Sequence, residues 1–196
     1  MFTGIVQELG EVVAAEARGG DRRLTIAASR KFLASVKLGD SIACNGVCLT
    51  VAGLQRSRFA ADLSVETLDA TTAGSWRAGT ALNLEKALTM GQTLGGHLVS
   101  GHVDGVGKLK SSKPDGRSQR LSFRVPKALA RYVARKGSIC VDGVSLTVND
   151  VEGRGFGVNI VPHTLRQTTL GRLEPGAAVN LEVDLIARYL ERLIKK

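Results

Sequence analysis

Short runs of alternating apolar and polar residues recur along this chain. Leu24-Thr25-Ile26 and Phe59-Ala60-Ala61-Asp62-Leu63 read as half-buried strands of period two, and so do Leu121-Ser122-Phe123 and Phe156-Gly157-Val158-Asn159-Ile160. The stretch from Ser41 to Val51 carries Asn45-Gly46 between two β-prone runs, a tight-hairpin signal that Asp142-Gly143 repeats. Ser29 to Val36 and its partner Pro126 to Val133 read as short helices, Pro126 being suited to a first turn. Thr67 to Thr72 reads as a further helical turn. At the end of the chain Leu185, Ile186, Tyr189, Leu190, Leu193 and Ile194 recur at helical spacing, with Arg188, Glu191, Arg192, Lys195 and Lys196 between them. So short a helix is marginal alone. Its apolar stripe has two places to pack, the rest of its own chain or copies of itself.

The pattern is a duplication. Shifted by 97 residues, the sequence matches itself without a gap. Gly4 falls on Gly101, Arg23-Leu24 on Arg120-Leu121, and Gly46-Val47 on Gly143-Val144. Leu49-Thr50-Val51 falls on Leu146-Thr147-Val148, Thr67-Leu68 on Thr164-Leu165, and Asn83-Leu84-Glu85 on Asn180-Leu181-Glu182. Each half has the size of one small domain and is too long for a solenoid unit. The expected division is 1–96, 97–184 and a tail, 185–196, with the boundary at the glycine pair Gly95-Gly96. Several short strands per half indicate an all-β antiparallel barrel or sandwich, and closure into a barrel removes exposed edges.

Composition narrows the function classes. The chain has 196 residues and a net charge of +9, which invites nucleic acid or anionic lipid. The Lys and Arg residues form no dense run, however, and aromatics make up only 4%, poor equipment for stacking bases. Three cysteines, Cys44, Cys48 and Cys140, cannot all pair within one chain, and none forms a C-x-x-C, so a reducing cytoplasm fits better than a disulfide framework. Cys44 and Cys48 flank a hairpin turn with no second close pair to complete a zinc site, and Gly101-x-x-x-Gly105-x-Gly107 is no dinucleotide fingerprint. No metal and no bound cofactor is expected. The opening residues have no basic leader, and no apolar run approaches the roughly 20 residues of a membrane span.

Met1-Phe2-Thr3-Gly4-Ile5-Val6, Asn45-Gly46-Val47-Cys48-Leu49-Thr50-Val51, Gly95-Gly96-His97-Leu98-Val99-Ser100-Gly101-His102-Val103-Asp104-Gly105, Asp142 to Val148 and Pro162-His163-Thr164-Leu165 resemble, in order and in duplicate, the motifs of the riboflavin synthase family of tandem lumazine-binding repeats. The resemblance covers the whole chain. It implies two homologous six-stranded antiparallel Greek-key barrels and a C-terminal α-helix through which three chains associate. It implies that each barrel binds one 6,7-dimethyl-8-ribityllumazine, and that the working site forms between the N-terminal barrel of one chain and the C-terminal barrel of its neighbour. One substrate molecule passes a four-carbon unit to the other, giving riboflavin and 5-amino-6-ribitylamino-uracil. The resemblance also admits association with lumazine synthase. The alternatives are a non-catalytic antenna protein of the same fold, which needs only one good pocket, and a basic nucleic-acid-binding barrel, against which the ligand motifs argue.

A reaction between two identical molecules suits two homologous pockets, because positioning makes the encounter intramolecular. Identical pockets could not assign donor and acceptor, so the informative residues are those that differ at matched positions. These are Cys48 against Ser145, Ile5 against His102, Glu66 against His163, Gly39 against Lys136, and Ala87 against Asp184. The catalytic candidates are His102, for proton transfer near neutral pH, Ser145 and Cys48, which could polarise or add to the ring where water or a ribityl hydroxyl does not serve instead, and Phe2 and Thr3, which resemble residues that the family uses to shape the site. The resemblance implies substrate contacts from Gly4, Ile5, Val6, Cys48, Leu49, Thr50, Asp62, Leu63, Ser64, Val65, Glu66 and Thr67 in the first repeat. From the second it implies Gly101, His102, Val103, Lys136, Ser145, Leu146, Thr147, Val161, Pro162, His163, Thr164, Leu165, Arg166 and Asp184. His97, after two glycines, reads as a residue that holds the linker.

Overall fold

In the computed structural model, which describes residues 1–194, twelve strands carry the chain. The first six are β1 (Glu8–Arg18), β2 (Asp21–Ala27), β3 (Ser41–Cys44), β4 (Val47–Gln55), β5 (Arg58–Leu63) and β6 (Ala81–Lys86). The second six are β7 (Gly105–Asp115), β8 (Ser118–Arg124), β9 (Ser138–Val141), β10 (Val144–Glu152), β11 (Gly155–Ile160) and β12 (Ala178–Val183). They close into two barrels of the same circular order, β1-β2-β5-β4-β3-β6 and β7-β8-β11-β10-β9-β12. Every neighbouring pair is antiparallel.

The alternation seen in the sequence is the inside-outside alternation of these strands. Leu24, Ile26, Phe59 and Leu82 fill the first barrel, and Leu121, Phe123, Phe156 and Leu181 the second. Burying each such side chain is worth about 1.5–3 kcal/mol. Both hairpin turns have positive φ at their two central residues, 42° and 79° at Asn45-Gly46 and 46° and 78° at Asp142-Gly143, the geometry that matches strand twist. Strand irregularities recur at matched places, between Val12 and Ala14 and between Leu109 and Ser111, and again at Val51/Gly53 and Val148/Asp150. Bulges of this kind bend strands around a barrel.

The helices depart from the sequence expectation in two respects, the first being that the helix expected over Ser29 to Val36 spans only Arg30–Leu33. Helix α1 (Arg30–Leu33) starts at Ser29, whose Oγ accepts from the Phe32 N–H, while the Glu8 carboxylate accepts from the Ser29 N–H and hydroxyl. The matched stretch Pro126 to Val133 does not form a helix and holds only a 3-10 turn, Ala130–Tyr132. There Pro126 replaces the capping serine and Gly105 replaces Glu8, so the orphan N–H groups lose their acceptors. Helix α2 (Val65–Ala70) contains most of the turn expected at Thr67 to Thr72, with Ser64 as its cap. Its counterpart is α3 (Pro162–Gln167). The tail forms α4 (Leu185–Ile194), and Lys195 and Lys196 lie outside the described residues.

The two barrels meet about a local two-fold axis. Phe2 exchanges backbone hydrogen bonds with its own counterpart, Val99 (2.7 and 3.1 Å), and Gly46 packs against its counterpart, Gly143. A residue touching its own equivalent is the mark of a two-fold interface. Asn83 Nδ2 donates to the Asp142 carbonyl and Asn180 Nδ2 to the Asn45 carbonyl, both at 2.8 Å. Their side-chain oxygens accept from the Thr169 and Thr72 N–H groups, again at 2.8 Å. These asparagines are buried with their hydrogen bonds made inside the interface, which fixes one register between the barrels.

Candidate active site

Each repeat reaches across to the other barrel before forming its own. Residues 3–6 leave the first repeat and run along the β10 hairpin, where Gly4 O accepts from the Ser145 N–H at 2.8 Å. Residues 100–103 reciprocate on β4, where Gly101 O accepts from the Cys48 N–H at 2.9 Å. Val6 packs into the second core and Val103 into the first. Glycine is required at both crossings. At Gly4 (φ 74°) an added Cβ would lie 2.6 Å from Ser145 Cβ, and at Gly101 (φ 80°) it would lie 2.7 Å from Cys48 Cβ.

A buried carboxylate anchors each segment. Glu85 accepts from the Thr3 N–H (2.7 Å), the Thr3 hydroxyl (2.7 Å) and the Gly4 N–H (3.0 Å). Glu182 accepts from the Ser100 N–H and hydroxyl (both 2.6 Å) and the Gly101 N–H (2.9 Å). Burial pushes the Glu85 carboxyl up, and the donors from Thr3 and Gly4 pull it back down. Thr3 is buried by this anchoring. Phe2 is fully buried in a small cluster with Ala43, Val99 and Cys140, and its ring lies against Gly101. Both are thus taken up in holding the crossing segments.

The residues named from the sequence gather into two matched groups. The first comprises Cys48, Leu49 and Thr50 on β4, Asp62 and Leu63 at the end of β5, and Ser64, Val65, Glu66 and Thr67 around the start of α2, completed by Gly101, His102 and Val103 from the second repeat. The second comprises Ser145, Leu146 and Thr147 on β10 and Val161, Pro162, His163, Thr164, Leu165 and Arg166 around the start of α3, completed by Gly4, Ile5 and Val6. Thr50, Glu66, His102, Thr147, His163 and Arg166 are exposed, while Leu63 is a core residue. Asp62 is held by Arg23 through two hydrogen bonds of 2.6 and 2.5 Å, and that partner keeps its carboxyl below the usual range. Lys136 sits in an exposed turn with φ 66°. Asp184 caps the first turn of α4 by accepting from the Ile186 N–H at 3.0 Å.

Among the matched positions at which the two groups differ are Cys48 and Ser145. Ser145 Oγ lies 2.7 Å from His97 Nδ1. The His97 ring is half-buried and its Nε2 is buried without a protein partner. Burial lowers the pKa of His97, and the nearby Asp184 carboxylate opposes that shift. A neutral imidazole against a hydroxyl can take its proton. The His97 N–H donates to the Thr3 carbonyl at 3.1 Å, so the residue also holds the linker, as its place after two glycines suggested. Comparing matched positions could not reveal it, because the residue 97 places earlier would precede Met1. His102 lies on the other crossing segment and is exposed, with its N–H on Ser100 Oγ at 3.4 Å.

Among the described residues no cluster of three or more His, Cys, Asp or Glu is placed to hold a metal ion, and no helix is long and apolar enough to cross a membrane. Helix α4 docks on the second barrel through polar contacts, with Arg188 paired to Asp104 and Glu191 paired to Arg131 and bonded to the Tyr132 hydroxyl. Most of its apolar residues point outward, with Leu185 half-buried. Ile186, Tyr189, Leu190, Leu193 and Ile194 are 55–82% exposed.

The lumazine binding domain model matches the chain twice, over residues 3–87 and 100–184, the same 97-residue offset. The riboflavin synthase of Photobacterium phosphoreum is 46% identical over 194 residues, covering 99% of this chain and 89% of that protein. The riboflavin synthase of Mycobacterium tuberculosis is 47% identical over 199 residues, covering 100% and 98%. A crystal structure of LumP complexed with riboflavin superposes with a TM-score of 0.87 at 26% identity, covering 93% of this chain and 99% of that one. A crystal structure of LumP complexed with 6,7-dimethyl-8-(1'-D-ribityl) lumazine superposes with a TM-score of 0.85 at the same identity.

Proposed function

The chain belongs to the riboflavin synthase family of tandem lumazine-binding domains, and from that premise we propose how its two unequal pockets make riboflavin. It is a transferase. Two molecules of 6,7-dimethyl-8-ribityllumazine enter, a four-carbon unit passes from one to the other, and riboflavin and 5-amino-6-ribitylamino-uracil leave. Each matched group of residues holds one substrate. The Thr50 and Thr147 hydroxyls and the backbone around Gly4 and Gly101 serve as the common binding frame. Lys136, His163 and Asp184 differ from their counterparts and adapt the second pocket. The functional units are 1–96, 97–184 and 185–196, with the crossing segments serving each other's barrel.

The observation that carries this reading is the hydroxyl–imidazole pair of Ser145 and His97, present in one pocket and absent from the other. A two-fold frame with a base in one half assigns different roles to two identical substrates. His97 takes a proton through Ser145 Oγ in the second pocket, while His102, beside Cys48, serves proton transfer in the first. Positioning of two substrates supplies much of the acceleration, because effective molarities in well-oriented pairs reach about 10⁵–10⁸ M.

The working enzyme is a cytoplasmic homotrimer. The outward apolar face of α4 supports this, since an exposed apolar stripe on a helix docked by its polar side calls for a cover. Trimer formation sets the first pocket of one chain against the second pocket of its neighbour. The antenna reading draws on the likeness to LumP. Against it stand the 46–47% identity to riboflavin synthases and the retention of both pockets.

The test is direct. The purified chain is treated with EDTA and given 6,7-dimethyl-8-ribityllumazine, and riboflavin is followed by absorbance. One riboflavin for every two lumazines consumed is the expected outcome. Tight fluorescent binding of the lumazine without turnover would overturn the enzyme in favour of the antenna.

A further inference from the structure

We propose that Arg188, on the C-terminal helix, is a positioning residue for the first-barrel pocket, holding the segment that presents His102. The proposal rests on the reading of that pocket given above.

The crossing segment 100–103 is fixed before His102 by buried partners and after it by Val103 in the first core and the Asp104 N–H on Leu181 O, while the His102 peptide itself takes its bond from α4. Toward the interior, Glu182 binds Ser100 and Gly101, and Cys48 donates to the Gly101 carbonyl. His102 lies beyond those contacts. Its N–H reaches Ser100 Oγ only at 3.4 Å and its residue is exposed. Its carbonyl accepts from Arg188 Nη2 at 3.1 Å. The same Nη2 pairs with Asp104, whose carboxylate is mostly buried and whose second oxygen accepts from the Val183 N–H at 2.8 Å. The guanidinium thus ties three points together, the peptide after His102, the carboxylate two residues on and the end of β12. A peptide plane pinned immediately after a residue restricts the direction of its side chain. A guanidinium offers several donors in fixed geometry, which suits it to bridging a carboxylate and a carbonyl.

The other repeat provides the control. Gln7 occupies the place of Asp104 and accepts from the Lys86 N–H at 3.1 Å, as Asp104 does from Val183. Among the described residues no helix stands behind that segment. Its place is taken by a cavity of about 370 Å³ lined by Thr3, Ile5, Gln7 and Glu85 among others. The segment ending in an aliphatic residue is left open, and the segment ending in an imidazole is clamped. Such a clamp matters to chemistry, since a displacement of about 1 Å at a reacting group can cost on the order of 10²-fold in rate.

The clamp also gives α4 a second task. The helix carries an apolar face for assembly on one side and the Arg188 contact on the other, so one short element links the two.

The experiment compares R188A, R188K and R131A in the full-length protein, with kcat and KM for 6,7-dimethyl-8-ribityllumazine measured alongside molar mass by light scattering. Arg131 pairs with Glu191 on the same helix at 3.0 Å and does not touch His102, so R131A loosens the docking without releasing the segment. R188A is expected to lower kcat about 10-fold or more with a smaller change in KM, R188K to recover much of the loss, and R131A to match the wild type. Wild-type kcat in folded R188A overturns the proposal, and so do equal losses in R188A and R131A. If R188A does not fold, D104N takes its place, with a reduced kcat expected and an unchanged one overturning the proposal. If the wild type itself makes no riboflavin, the enzymatic reading fails separately. The role of Arg188 is then decided by lumazine fluorescence anisotropy, where weaker binding by R188A supports it and unchanged binding overturns it.

Discussion

In the first barrel the hairpin strand presents Cys48 beside Gly101, and in the second it presents Ser145 beside Gly4, with His97 at 2.7 Å from the hydroxyl. The supports beneath them are the same. Glu85 and Glu182 each bind three donors of a crossing segment, and Asn83 and Asn180 make mirror-image bonds across the interface. The anchoring carboxylates and the interface asparagines are the same in both halves, while Cys48 and Ser145 are not. A duplicated chain can therefore keep one architecture and still carry different reactive groups at matched positions in its two halves.

The largest test of that asymmetry is at the Ser145–His97 pair. H97A and S145A are each expected to lower turnover about 10²–10⁴-fold, the usual worth of a general base, while C48A costs less. Equal losses from C48A and S145A would make the pockets chemically equivalent. The pH profile sharpens the point. Burial depresses the His97 pKa, so the neutral base persists below the ordinary histidine range and turnover falls only as pH drops through that lowered value. H97A should lose this acid limb.

The next test asks whether the frame is as symmetric as its bonds. E85Q and E182Q each turn an acceptor into an amide facing N–H donors, at a cost of roughly 3 kcal/mol in urea unfolding. Similar costs in the two variants are expected. A twofold disparity would show that one segment bears more of the fold.

A smaller effect distinguishes the two hairpins. Asn45 and Asp142 occupy matched turns, and each accepts a backbone N–H at 2.7 Å, from Asn83 and Asn180 respectively. Burial pushes the Asp142 carboxyl up to about 7, against the opposing Asn180 hydrogen bond. A carboxyl raised on folding stabilises the chain while it stays protonated there, and that contribution is lost as pH rises from the ordinary carboxylate range through about 7. Wild-type stability should fall by about 2 kcal/mol between pH 5.5 and pH 7.5 relative to D142N, at about 1.4 kcal/mol per pH unit. Parallel curves for the two proteins would refute it. The smallest effect on the fold belongs to α4. L193S should lower the molar mass in solution while changing barrel stability by no more than about 0.5 kcal/mol, because Leu193 is exposed in the single chain.

Much of this is legible in the sequence. The 97-residue offset, the Asn-Gly and Asp-Gly turns and the period-two runs mark several strands per half, because barrel strands write their burial directly into alternation, and the family resemblance implies the full six. Matched positions flagged Cys48 and Ser145 because a difference between repeats is visible in the sequence. His97 was hidden by the same logic, since it has no counterpart. The loss of helix at Pro126 to Val133 depended on Glu8 capping Ser29 across 21 residues, a contact that helix propensity does not encode. The crossing of segments was equally hidden, because Gly4 and Gly101 read the same whichever barrel they touch.

That crossing has a consequence for how the chain can be cut. Residues 89–96 form an exposed stretch between the barrels, open to a protease. Severing them would not release two free domains, because the first fragment still grips the β10 hairpin through Gly4 and the second still grips β4 through Gly101. A nicked molecule should travel as one particle, its pieces clasped like linked hands, and separate only when a barrel melts.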